Sequence, residues 1–293
     1  MTRLWVTPMA RLRRARGWVT GHPFRPLVGK RVLITGGSSG IGEATALAAT
    51  AAGAVVVLVA RREDELRRVR RDVESIGGTA ATYVCDLTDL EAVDALVARV
   101  LAEQGPVDYL VNNAGRSIRR SLELSYDRFH DVQRTMAINY FGPVRLTMGL
   151  LPSMRAQGFG HVVNISTWGV QMKAPKFSAY IASKAALDTW SRIAGRETYA
   201  DGVTFTNMRF GLVLTPMVLP TPGHEVRDAA LTADQAAAKV VRAMEDRPLT
   251  VDRWIGSLGE LVSLLAPRFS DWVMYRYDKR RPDSAAARGE GPA

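Results

Sequence analysis

Residues Val32 to Ala44 read Val-Leu-Ile-Thr-Gly-Gly-Ser-Ser-Gly-Ile-Gly-Glu-Ala, a short apolar strand running into three spaced glycines. An Ala-rich segment of helical composition, Ala44 to Ala52, follows. Few local patterns restrict a fold as tightly. Gly36 permits a tight turn, Gly40 lets the backbone approach a pyrophosphate, and Gly42 lets helix and strand pack closely. The helix start then offers free N–H groups and its positive dipole end to phosphate. The turn therefore predicts a nucleotide cradle built from Gly36, Ser38, Ser39, Gly40, Ile41 and Gly42.

Strand and helix signals then alternate, as in a parallel sheet covered on both faces. Ala54–Ala60 is a continuous apolar run, the pattern of a strand buried on both sides. Further strands are expected at 80–85, 107–111, 160–165 and 203–208, and helices at 63–76, 89–104, 127–151 and 180–200. The long helix over 127–151 carries Asn139. The predicted fold is α/β, a doubly wound parallel sheet of Rossmann-like form in one domain over residues 28–252. A basic arm over 1–27 precedes it, and an amphipathic extension over 253–278 and a tail over 279–293 follow. The tail is basic, then rich in Ala, Gly and Pro, and is expected to be disordered. The glycine turn, Arg61, Asp86, Asn113 and Ser166 all fall at carboxyl ends of strands, where open α/β sheets bind ligands.

Tyr180-Ile181-Ala182-Ser183-Lys184 places a phenol and an ammonium four residues apart, one turn along a single helix face. A free phenol has a pKa of about 10, and a neighbouring cation favours the phenolate. The pair therefore predicts a phenol lowered toward the neutral range, suited to acid–base work. Ser166 stands fourteen residues before Tyr180.

Thr35-Gly-x-x-x-Gly-Ile-Gly42, Asn112-Asn113-Ala114-Gly115, Asn139, Ser166 and Tyr180-x-x-x-Lys184 resemble, in order and spacing, the motifs of the main branch of the short-chain dehydrogenase/reductase family. The resemblance covers about residues 28–250. It implies hydride transfer to or from a nicotinamide cofactor, with Tyr180 as general acid or base. Ser166 would polarise the substrate carbonyl, and Lys184 would hold the nicotinamide ribose. Asn139 would support a water linking Lys184 to solvent. Asn113 and Gly115 would shape the floor near the cofactor, and Thr215 would bond the carboxamide. The family commonly has Pro-Gly before this last residue, whereas this chain has Arg209-Phe210-Gly211.

Coenzyme choice turns on the end of the second strand, Leu58-Val59-Ala60-Arg61-Arg62. Ala60 stands where an NAD enzyme carries its acid, and the Arg61 guanidinium suits a 2′-phosphate, which predicts NADP(H) over NAD(H). Arg62, Arg67 and Arg68 read as a solvated cluster opening a charged helix. Asp86, with Leu87 after it, matches the family's adenine-contacting position.

The net charge of +10 is uneven, because residues 1–31 hold eight Lys/Arg and no acid, leaving 31 basic against 29 acidic residues elsewhere. Nucleic-acid binding would need basic surface on the folded body, which that balance does not supply. The arm interleaves arginines with Leu4, Trp5, Met9, Leu12 and Trp18, so it is either an interfacial helix for an anionic membrane or a loose basic extension. No apolar run is long enough to span a bilayer, about 18 residues, and no secretory signal appears, so the expected location is cytoplasmic, with peripheral membrane contact open. Cys85, the single cysteine, reads as a small buried thiol. The four histidines, His22, His130, His161 and His224, lack metal-ligand spacing, so no metal is expected.

Trp168, Val170, Met172, Pro175 and Phe177, with Pro216 to Leu219, either line an apolar cleft or pack the loops. Lys173 and Lys176 either meet an anionic group or are solvated. The extension, with Trp254, Leu258, Leu261, Leu265 and Trp272 broken by Pro267, covers the cleft, forms a subunit contact or rests on a bilayer. The expected activity is interconversion of a carbonyl and an alcohol on a lipid-acyl, steroid or similar ketone. Reduction of small xenobiotic ketones, or nucleotide sensing without chemistry, is the alternative. A homo-oligomer is common in the family, but the residues give no stoichiometry.

Overall fold

Runs of Val, Leu and Ile that no water-facing strand would carry form the centre of the sheet. The computed structural model describes residues 26–218, 230–279, 282–283 and 285–288. The arm before residue 26, His22, His224 and Leu219 lie outside the described residues. The strands are β1 (Arg31–Thr35), β2 (Val55–Ala60), β3 (Thr79–Val84), β4 (Tyr109–Asn112), β5 (Gly160–Thr167), β6 (Val203–Phe210), β7 (Val213–Leu214), β8 (Leu231–Thr232) and β9 (Thr250–Val251). Seven of them pair in parallel in the order β3-β2-β1-β4-β5-β6-β9, while β7 and β8 form a separate small sheet.

Side-chain alternation sends neighbouring residues to opposite faces. Val32 and Ile34 join one apolar layer with Leu66, Val69 and Val240, whereas Leu33 joins the other with Val97, Leu146 and Leu150. Helices α1 (Gly40–Ala51), α2 (Glu63–Ser75) and α8 (Ala233–Asp246) contribute to the first layer. Helices α3 (Leu90–Gln104), α5 (Gly142–Ala156) and α7 (Ser178–Glu197) contribute to the second. This is the doubly wound architecture expected. Its order reverses between β1 and β4, which opens a ligand crevice at their carboxyl ends.

Four local features depart from the sequence reading. The single helix expected over 127–151 is α4 (Phe129–Met136), a π-helical turn at Ala137–Phe141, and then α5. Pro143 has no N–H to give the carbonyl of Asn139 four residues earlier, so the ladder widens at that point. The capping box of Thr232 and Gln235 starts α8, an element the sequence reading did not place, as is β9. Arg68 is not simply solvated. It pairs with Glu43 of α1 at 2.8 Å and with Glu65 and Asp72 of its own helix, tying α1 to α2. The tail expected to be disordered is docked where it is described, since Arg119 donates to the carbonyl of Pro282 and the Ser121 N–H to the carboxylate of Asp283. Asp283 is therefore anchored by a charge-accepting bond that composition does not reveal.

A buried amide ladder crosses the middle of the sheet. Asn112, Asn164 and Asn207 are in register on β4, β5 and β6. The Asn112 amide donates to Asn164 at 2.9 Å, and that of Asn164 to Asn207 at 3.0 Å. Asn207 in turn donates to the carbonyl of Asp188 and accepts from the Ser191 hydroxyl, both on α7. The ladder thus fixes α7 over the sheet. Asn164→Ala breaks both rungs and leaves buried partners unpaired, so we expect a loss of about 1–3 kcal/mol in urea unfolding. A change below measurement error would show that the rungs carry no weight.

Candidate active site

The glycine turn has the backbone its residues predict. Gly36 and Gly40 adopt φ of 65° and 58°, in the left-handed region that favours glycine. A Cβ on Gly42 would run into the Gly36 carbonyl oxygen and would lie 2.6 Å from the Asn113 amide. Thr35 and Asn113 lock this turn to the end of β4. The Thr35 hydroxyl accepts from the N–H groups of Asn113 and Ala114, each at 3.0 Å, and the Asn113 amide donates to the Thr35 carbonyl at 2.9 Å. Ser39 is the N-cap of α1, and no side chain caps that helix start. A glycine-lined cradle facing uncapped helical N–H groups fits the phosphates of a dinucleotide. Glu43, in the first turn, would oppose such an anion, and Arg68 is bonded to it. Ser38 is buried in the turn, Ile41 packs against the core, and Thr215 lies against Gly40, 3.1 Å from a Cβ placed there.

At the carboxyl end of β2, Arg61 extends into solvent and faces Asp86 at 3.6 Å. Burial works upward on the Asp86 carboxyl, but bonds from the Thr88 N–H and hydroxyl, with Arg61 nearby, bring it below the ordinary value. Leu87 is buried beneath, where its carbonyl meets Gly142 at the start of α5.

Three side chains gather at the carboxyl end of β5. The Lys184 ammonium donates to the carbonyl of Ile165 at 2.8 Å, and the Thr167 hydroxyl stands near enough to the Tyr180 phenol to draw its pKa down a little. Gly115 passes so close that a Cβ there would lie 3.3 Å from Lys184 Nζ and 2.8 Å from Asn139 Oδ1. Asn139 is fully buried on the π-helical turn. Its amide donates to the Arg116 carbonyl and the Ser183 hydroxyl, and its oxygen accepts the Arg116 N–H, each at 2.9 Å. It therefore pins the backbone beside Gly115 to the helix that carries Tyr180 and Lys184.

Two expectations need correction. Ser166 is the hydroxyl predicted to meet the substrate, but its Oγ is enclosed without a hydrogen-bond partner. The hydroxyl that acts on the Tyr180 phenol is that of Thr167, which is also more exposed and accepts the Gly169 N–H at 3.1 Å. Adjacent residues of a strand point to opposite sides, so the two hydroxyls cannot share one task. The second correction concerns charge. Burial pushes the Tyr180 phenol up to about 12, against a smaller downward pull from Thr167. Burial also brings Lys184 down to about 8. Desolvation outweighs the attraction predicted between them.

Two further sequence candidates, His161 and Cys85, are structural. His161 is fully buried between the hydroxyls of Thr204 and Thr206, and burial drives its ring down to about 3. Cys85 is a buried thiol raised to about 11 by burial. The segment between Thr167 and Tyr180 is held from the C-terminal side by α9 (Trp254–Leu265). Gln171, on the short helix α6 (Gly169–Met172), donates to Glu260 at 3.1 Å and to Asp252 at 3.3 Å. Arg209 pairs with Asp188 through two bonds of 3.1 and 2.9 Å and faces Asp252 and Glu260. Sequence reading missed this cluster because it joins residues far apart in the chain.

The Lys184 environment has a pH signature. The unfolded chain holds this proton up to about 10.5, the folded chain only up to about 8. Between those values the unfolded state binds more protons, so stability rises with pH, and the burial penalty is complete below 8. Urea midpoints of wild type relative to Lys184→Met should therefore rise from pH 7.5 to pH 10. A pH-independent difference would mean that the ammonium is not desolvated.

Comparison with known proteins agrees with this fold. Residues 30–225 match the short chain dehydrogenase family profile. An uncharacterized oxidoreductase of Mycobacterium tuberculosis is 48% identical over 264 residues, covering 89% of this chain and 77% of that protein. A fatty acyl-CoA reductase of Acinetobacter baylyi is 44% identical, covering 89% and 88%. The crystal structure of a metagenomic short-chain oxidoreductase in complex with NADP superposes with a TM-score of 0.66 at 30% identity, over 77% of this chain and 96% of that one. With the nucleotide cradle, the parallel sheet and the Tyr–Lys helix in place, the chain belongs to the short-chain dehydrogenase/reductase family of oxidoreductases.

Proposed function

We propose that the protein is an NADP(H)-dependent reductase of a carbonyl on a lipophilic, fatty-acyl-type substrate. The observation that carries the reading is the Lys184 ammonium anchored at 2.8 Å on Ile165, one strand residue before Ser166, with the Tyr180 phenol beside Thr167 at the end of β5. The reduced nicotinamide supplies the hydride that this site itself lacks. Tyr180 gives its proton to the carbonyl oxygen. A phenol raised to about 12 is protonated throughout the neutral range, which is the state reduction requires.

Thr167 supports the same oxygen with a hydrogen bond, in the role first assigned to Ser166. Lys184, close against Gly115, holds the ribose hydroxyls, and its charge offsets the tyrosinate left after proton transfer. Asn139 acts as a positioning residue through Arg116 and Ser183. Its main-chain carbonyl, beyond the reach of any N–H on Pro143, is suited to carry the relaying water. Asn113 and Thr215 shape the cradle between them.

Arg61 favours the 2′-phosphate of NADP(H). Its contact with Asp86 is long and solvent-exposed, worth well under ~1 kcal/mol, so a dianionic phosphate displaces it readily. The substrate class is supported by the apolar side chains around Trp168 and Met172 and by the name of the Acinetobacter relative.

Consumption of NADPH with short- and long-chain aldehydes, ketones and acyl thioesters tests the reading, and turnover should rise with chain length. No turnover on any lipophilic carbonyl would overturn it. Thr167→Ala should lower kcat on the order of 10²–10³-fold, whereas Ser166→Ala should stay within several-fold of wild type. The reverse ranking would restore Ser166. Arg61→Asp should invert the NADPH/NADH preference, and an unchanged ratio would remove Arg61 from the site.

A further inference from the structure

Helix α9 and the following helix α10 (Pro267–Lys279) form a hairpin turned inside out. The face that α9 packs inward carries small and polar residues. A Cβ on Gly256 would overlap the Gln171 carboxamide, one on Gly259 would overlap the Met172 sulfur, and Glu260 accepts from Gln171. The face it presents outward carries Trp254, Leu258, Leu261 and Leu265, spaced to share one stripe. Leu264 and Leu265 are 77% and 73% exposed. Helix α10 continues the surface with exposed Phe269, Trp272 and Tyr275. An ordinary surface helix hides this stripe and shows the polar one. Contiguous apolar area of this kind marks a contact site.

The charges identify the partner. Of the hairpin's acidic residues, Glu260 is engaged by Gln171 and Arg209, and Asp278 by Lys176 at 2.9 Å. The outward charges are Arg268, Arg276 and Lys279, against Asp271. Arg276 lies over the Trp272 ring at 5.4 Å and Lys279 over Tyr275 at 4.9 Å. Aromatic rings paired with cations at the edge of an apolar face suit the boundary between acyl chains and anionic headgroups. Among the described residues no helix is long and apolar enough to cross a membrane.

We propose that the outward face of the α9–α10 hairpin is a membrane-docking surface that lies in the interface of an anionic bilayer. A cleft of about 490 Å³ opens between this hairpin and residues Met172 to Pro175. The hairpin therefore stands between a docked bilayer and the segment that joins Thr167 to Tyr180.

The test is sedimentation of the full chain with vesicles of phosphatidylglycerol and phosphatidylcholine, beside vesicles of phosphatidylcholine alone. Wild type should pellet with the anionic vesicles, and its tryptophan emission should shift to the blue. The combined Leu261→Glu, Leu265→Glu and Trp272→Glu variant should lose at least tenfold in partition while keeping its circular dichroism spectrum and melting temperature. That variant retains the basic N-terminal arm, so undiminished pelleting would assign lipid binding to the arm and overturn the proposal. So would a wild type that stays in solution, or one whose light scattering shows a dimer that these substitutions dissociate without lipid.

Discussion

Burial of the Lys184 ammonium against the carbonyl of Ile165 is the interaction from which the rest of the site follows. A cation withdrawn from water costs several kcal/mol unless it is well bonded. The surrounding structure has to hold it in place, and it does so by several independent routes. The amide ladder from Asn112 to Asn207 fixes α7 over the sheet, Asn139 binds Ser183 one residue before Lys184, and Gly115 leaves room for Nζ. Each of these groups is uncharged, and the asparagines and Ser183 are buried. Among the described residues the ammonium is thus held by the neutral carbonyl of Ile165, and no carboxylate pairs with it. Its charge stays available to a ribose or to a developing tyrosinate.

What the sequence discloses follows from how local each determinant is. The glycine turn is legible because its requirement is conformational. Positive φ at Gly36 and Gly40 and the close pass of Gly42 depend on residues a few positions apart. The strand runs are legible because double burial demands continuous apolar sequence. Ser166 and Thr167 are a different case. Both carry hydroxyls and both sit near the end of β5, and only the pleat decides which one meets the phenol. The Tyr180 pKa is illegible for a related reason. Spacing along a helix reports the charge partner but not the water that folding removes, and here desolvation prevails.

The elements missed between Leu231 and Val251 illustrate a further limit. Thr232 and Gln235 form a capping box whose signature is visible in the chain, but β8 and β9 are only two residues each. Strands this short carry no readable alternation. Strand β9 exists because partners already in the sheet offer it backbone bonds, as Asn207 and Met208 do for Thr250 and Val251, while β8 pairs with the equally short β7.

The same reasoning explains why the C-terminal helices belong with the catalytic segment. Between Thr167 and Tyr180, Lys173 and Lys176 adopt φ of 51° and 67°, conformations that cost non-glycine residues about 1–3 kcal/mol each. Such strain persists only where surrounding contacts fix the backbone. Here the Lys176 carbonyl accepts the Arg120 N–H at 2.7 Å, and its ammonium pairs with Asp278 of α10. Gln171 and Met172 lie under Gly256 and Gly259 of α9. The hairpin therefore grips both ends of the strained stretch. Its inner face thus meets the loop leading to the phenol at both Gln171–Met172 and Lys176.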